Sequence, residues 1–170
     1  MTEELVHSEH DRAVVEVQLR RPLRGRWRVA RRCHLGVPMA IENHPYLEDG
    51  TPFPTLFWLT CPILAKRASK LEGEGWMGAL NESLAEDEAL RARLKGALNR
   101  LLARRNAHAP LVDSGAVPGG GPEKVKCLHA HLAHEISHAP NPVGSLTLSK
   151  IGWPDCRVPC VPEFEREVEG

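Results

Sequence analysis

The 170-residue sequence has no net formal charge, since 22 lysines and arginines balance 22 aspartates and glutamates. No whole-molecule field therefore draws it to a polyanion. It has no apolar run approaching the roughly 20 residues that cross a bilayer, and its charged N-terminus lacks the apolar core of a secretory signal. A cytoplasmic chain without membrane association is the expectation. No compact Cys-x-x-Cys pair and no internal repeat occurs. The glycine-rich stretch GGGPEKVK (residues 119–126) lacks the glycine-lysine-serine order of a phosphate loop.

Charge is nonetheless uneven along the chain. Between Arg12 and Arg32 eight arginines face a single acid, Glu16, while residues 155–170 hold five acids and two arginines. The Arg20–Arg32 segment offers a basic face for an acidic protein or a nucleic acid. It has no aromatic interleaving beyond Trp27 and matches no nucleic-acid module.

The pattern of apolar residues and breakers predicts mixed secondary structure. Ser8 or Asp11 caps a first helix carrying Val14 and Val17, which Pro22 and Gly25 end. Trp27 to Cys33 reads as a short strand. Asn43 to Pro54 is turn-rich, and Thr55 to Thr60 (TLFWLT) is the strongest strand signal in the chain. Phe57 and Trp58 must point to opposite sides of such a strand. Pro62 opens a helix running to about Glu72, where Gly73 and Gly75 stop it. A short helical turn is expected at Trp76–Leu80. Ser83-Leu-Ala-Glu86 then fits a capping box ahead of Leu90, Leu94, Leu98 and Leu101, a leucine stripe extending to Arg105. Residues 107–122 read as a loop. These elements predict one α+β domain over residues 8–163, a small sheet packed against three or four helices, with flexible termini at 1–7 and 164–170.

The chemistry concentrates in KCLHAHLAHEISHAPNPVG (residues 126–144), with one cysteine and four histidines in twelve positions. On a helix starting near Lys124, at about 100° per residue, Cys127, His131, His134 and His138 share a stripe. Val125, Leu128, Leu132 and Ile136 form the apolar stripe beside it, and His129 points away. Asn141-Pro-Val-Gly144 reads as the turn that ends this helix, with the Asn141 side chain free to cap a neighbouring turn. Thiolate and imidazole are zinc's ligands in closed sites, and iron–sulfur centres also take both. Structural disulfides are rarely kept in a reducing compartment, so five cysteines point to metal ligation or to burial as small apolar side chains. Under burial, His129 and His134 simply satisfy nearby hydrogen bonds. A catalytic alternative pairs Cys127 with His131 or His134, or uses His129 as a general base beside Asp49.

Four segments together resemble one family: CHLGVP (33–38), EDGTPFPTLFWLTCP (48–62), KCLHAHLAH (126–134) and NPVG (141–144). The family is DUF501, a bacterial domain of unknown function, and the likeness runs from about Asp11 to Cys160. Its pattern falls on Cys33, Gly36, Thr55, Thr60, Cys61, Lys126, Cys127, His129, His134, Asn141 and Gly144. A cysteine near the C-terminus belongs to it as well, either Cys156 or Cys160, with Cys160 preferred. Where relatives place a second cysteine two positions after the first, this chain has Leu35, and His34 is the available substitute. The resemblance implies no activity. It strengthens the metal reading, a zinc or iron–sulfur centre held by Cys33, Cys61, Cys127 and Cys160 with His134 as the alternative ligand.

Overall fold

The computed structural model describes residues 3–112 and 116–165. Part of the expected loop at 107–122, and part of the termini expected to be flexible, lie outside the described residues. The chain forms an α+β domain. In order it contains α1 (Glu9–Leu19), β1 (Trp27–Arg32), β2 (Pro38–Asn43), β3 (Phe57–Leu59), α2 (Pro62–Gly73), α3 (Trp76–Glu86), α4 (Glu88–His108), α5 (Leu128–His138), α6 (Pro142–Ile151) and a single turn, α7 (Pro162–Glu165).

The three strands form an antiparallel sheet in the order β1-β2-β3. Cross-strand partners Val29↔Ile41 and Ile41↔Trp58 share one face, and Ala40↔Leu59 and Glu42↔Phe57 share the other. Helix α5 covers the Phe57 face, whereas α1 covers the opposite one through Val15, which packs with Trp27 and Ile41. Phe57 and Trp58 thus serve two different layers. β2 has no counterpart among the strands expected from the sequence. All six of its residues are buried, so it shows no apolar–polar alternation, and it begins with proline and carries the fully buried Glu42. β3 is shorter than the expected Thr55–Thr60 strand, but its flanks still bond to β2: Asn43 N–H donates to the Leu56 carbonyl and Thr60 N–H to that of Met39.

Local signals account for most helix ends. Ser8 Oγ accepts from the Asp11 amide at 3.0 Å and caps α1, and Pro62 occupies the first turn of α2. In α1 the buried valines are Val14 and Val15, which enter two different clusters, while Val17 is exposed. Ser83 is not a cap. Its hydroxyl donates to the Ala79 carbonyl within α3, because Leu80 and Leu84, one turn apart and both buried, carry that helix through it. Asp87 caps α4 instead, accepting from the Leu90 amide at 2.9 Å. The leucine stripe of α4 is buried throughout.

The 126–144 segment also folds differently from the sequence pattern. Helix α5 begins at Leu128, with Cys127 extended before it at φ −154°. Asn141 does not close that helix into a turn; it starts α6, its Oδ1 accepting from the Gly144 amide at 3.0 Å. Leu128, Leu132 and Ile136 pack into the core as the apolar stripe requires.

Candidate functional site

Extended backbone at Cys127 turns its side chain out of the helical stripe and toward His129, two residues on. His129 lies in the first turn of α5 and reaches across to α2. Its Nε2 sits 3.1 Å from the Ala65 carbonyl oxygen and 3.2 Å from Ser69 Oγ, and its Nδ1 is 3.2 Å from Glu72 Oε1. Ala65, Ser69 and Glu72 follow at i, i+4 and i+7, one face of α2. Because a carbonyl oxygen can only accept, Nε2 carries a proton and Nδ1 is the nitrogen turned to Glu72. One ligand atom each from Glu72, Cys127 and His129 all lie within 4.8 Å of one another, and this is the only such group of three among the described residues. The group can hold a metal ion.

The electrostatics bind the three side chains together. A hydrogen bond to Cys127 raises His129, against the opposing effect of burial; the Glu72 and Cys127 charges add to it, and the pKa reaches about 9. Burial alone would push the Cys127 thiol up, but the His129 hydrogen bond, the Ala130 amide and the His129 charge bring it below its ordinary value. A sulfur before the first turn of α5 also gains from the helix dipole. Cys127 and His129 open onto a cleft of about 220 Å³, lined on its other sides by Thr55, Phe57, Trp58 and Gly119.

The ligand set expected from the sequence is divided in space. Cys33, Cys61 and Cys160 line a second, small cavity together with His34 and Cys156, and Cys127 does not line it. His134 belongs to neither group. Its Nδ1 accepts from Asn141 Nδ2 at 3.0 Å, and the same amide donates to His131 Nδ1 at 3.1 Å. Burial, then the neighbouring His131, His138 and Arg100, hold His134 down to about 3. It is a neutral core imidazole stacked on Phe57. Asp49 is paired with Arg24 at 2.6 Å and with the Thr51 amide; the carboxylate beside His129 is Glu72. Sequence reasoning passed over Glu72, although an acid in the last turn of a helix opposes the dipole there and so signals a partner.

The remaining motif positions are structural in their contacts. Thr55 lines the cleft, Thr60 is buried, and Gly36 takes φ +83° in the turn after β1. Lys126 has an exposed side chain, while its amide donates to the Gly119 carbonyl at 2.7 Å. Gly144 lies against His131 of α5, and Asn141 joins the two helices. In the basic segment, Arg24, Arg28 and Arg32 pair with Asp49, Glu42 and Asp11. Arg26 bonds to His44, and Arg21 and Arg31 lie over Trp58 and Trp153. A polyanion would have to compete for these guanidiniums. No helix among the described residues is long and apolar enough to cross a membrane.

A family model described as a protein of unknown function, DUF501, matches residues 29–149, a span that includes the Glu72–Cys127–His129 group and stops short of Cys156 and Cys160. No curated protein and no solved structure matches the chain.

Proposed function

The chain belongs to the DUF501 family, whose description assigns no role, and we propose that it is a metalloprotein whose working centre is a zinc ion held by Glu72, Cys127 and His129. The observation that carries this reading is the convergence of three donor atoms within 4.8 Å, from α2, from α5 and from the extended residue just before α5. Their sulfur, nitrogen and oxygen chemistry suits zinc. His129 has the form of a supported ligand, its far nitrogen fixed by the Ala65 carbonyl and its near one turned to Glu72, where a metal ion would displace its proton. Three protein ligands leave a fourth position open, and the adjoining cleft would bring a small ligand to it. An iron–sulfur cluster does not suit this group, because one thiolate cannot replace the several that such clusters require.

Elemental analysis of untagged protein tests the proposal. Bound zinc that falls by about one equivalent per chain in Cys127→Ser and in His129→Ala supports it. Unchanged metal content in both folded variants overturns it.

A second reading rests on the opposed pKa directions of Cys127 and His129, which favour a thiolate–imidazolium pair. On this account Cys127 is a nucleophile, His129 its proton partner and Glu72 the group that orients the ring. Alkylation separates the two: a nucleophile reacts readily in protein as purified, whereas a ligand reacts only after a chelator has removed the ion.

A further inference from the structure

Four of the chain's five cysteines lie away from the Glu72 centre and around one cavity. They come from three separate parts of the sequence. Cys33 follows β1, Cys61 immediately precedes α2, and Cys156 and Cys160 belong to the irregular tail between α6 and α7. The remaining walls are largely apolar and include Val37, Met39 and Pro154, and the enclosed space is about 20 Å³. That is room for an ion and little else. All four cysteines are free thiols.

We propose that Cys33, Cys61, Cys156 and Cys160 form a second metal site, a four-thiolate structural zinc centre that fastens the C-terminal tail to the sheet. The local backbone favours this at each contributing segment. Cys33 opens a tight turn in which the Gly36 amide donates to the Cys33 carbonyl at 2.9 Å and the Cys33 amide to that of Val37. The positive φ of Gly36 closes that turn and leaves the cysteine at its rim. Cys61 stands at the N-terminus of the 12-residue α2, where the Ile63 and Leu64 amides favour its thiolate against the effect of burial. Amide donors of this kind stabilise a metal thiolate.

The tail has no regular structure before α7 and is held by scattered contacts, among them Arg67 donating to the Gly152 carbonyl and Arg31 lying over Trp153. The His34 ring bonds the Cys156 carbonyl at 2.7 Å, Gln18 Nε2 lies 4.0 Å from Cys160 Sγ, and Val161 packs with Val14 and Val37. No three of the four sulfurs are within 4.8 Å of one another, so coordination draws the tail inward. Four thiolates and no open position make a site that stabilises the fold rather than one that meets a substrate. The centre is independent of the one at Glu72, and neither proposal requires the other.

The full-length chain loaded with zinc, and separately with cobalt(II), tests this. This site is expected to add about one ion per chain to whatever the Glu72 centre holds. Cys160→Ser and Cys156→Ser each lose about one equivalent and retain the ion that Cys127→Ser releases. Cobalt-loaded Cys127→Ser shows the sulfur-to-metal charge-transfer absorption of a tetrahedral thiolate site. Trypsin cuts after Arg157 faster in metal-stripped protein than in loaded protein. The inference is overturned if both tail variants bind as much metal as the parent chain, or if cobalt-loaded Cys127→Ser shows no such absorption. Iron with acid-labile sulfide in place of zinc also overturns it. Cys127→Ser keeps all four cysteines of this cavity, so its cobalt spectrum is decisive whether or not the tail variants fold.

Discussion

Glu72 accepts a 2.8 Å hydrogen bond from the backbone amide of Leu128 with the same carboxylate oxygen that faces His129. The end of α2 is thereby tied to the start of α5, and an anion meets the end of α5 where helix dipoles favour it. Glu72→Gln keeps the shape and removes the charge. We expect zinc affinity to fall by at least about tenfold with the fold intact, measured by competition with a chromogenic chelator and by circular dichroism.

Thiol reactivity should distinguish Cys127 from Cys61. Burial pushes the Cys61 thiol up despite the Leu64 and Ile63 amides, whereas the His129 contact brings Cys127 down. In chelator-treated protein near neutral pH, iodoacetamide should label Cys127 well before Cys61. His129→Ala should slow labelling of Cys127. Peptide mapping by mass spectrometry gives both rates.

The fully buried Glu42 contributes to acid stability. Burial would raise its carboxyl, but hydrogen bonds from Arg104 and His108 and the charges of Arg104 and Arg28 overcome this and hold it at about 2, against 4.5 in an exposed chain. A depressed carboxyl stabilises the fold above its unfolded value, and that stability is lost as the pH falls from about 4.5 through about 2. The shift corresponds to a contribution on the order of 3 kcal/mol. Urea unfolding of the parent chain should weaken steeply over that interval. Glu42→Gln should start on the order of 3 kcal/mol lower at neutral pH, since among the described residues the half-buried Arg28 and Arg104 keep only the exposed Glu3 as a partner, and its slope over that interval should be shallower than the parent's.

Gly144 sits where α6 crosses α5. A Cβ there would collide with the His131 carbonyl oxygen and come within 2.6 Å of Glu135 Cβ. Gly144→Ala should destabilise the fold by about 1–3 kcal/mol or more, seen as a lower thermal midpoint.

Asn141→Ala removes three contacts at once, the α6 cap and the donor to both His131 and His134. Losing the cap costs about 1 kcal/mol, and each buried imidazole left without a donor costs about 1–3 kcal/mol. Chemical denaturation should show a loss well above that of a surface asparagine.

The sequence made α2 and α4 legible because their signals are local, a proline in a first turn and a leucine stripe of helical period. It hid β2, where burial on both faces removes alternation and a buried acid mimics a surface residue. The right residue types at the site were visible in 126–144, but their pairing was not. Helical spacing grouped Cys127 with His131 and His134, and the one extended residue before α5 broke that grouping. The separation of Cys33, Cys61 and Cys160 from Cys127 is a tertiary fact with no local trace. The choice of Glu72 over Asp49 is tertiary too, for Glu72 faces the start of α5 whereas Asp49 lies exposed in a turn and pairs with Arg24.

Helix α2 meets Cys61 at its first residue and carries Glu72 near its last. At 1.5 Å per residue it is a strut about 18 Å long, with one sulfur cavity at its head and the imidazole cleft at its foot. A rigid rod cannot turn at one end alone. Two pockets that share no atom are therefore held at a fixed distance by one helix, which supplies a wall to each.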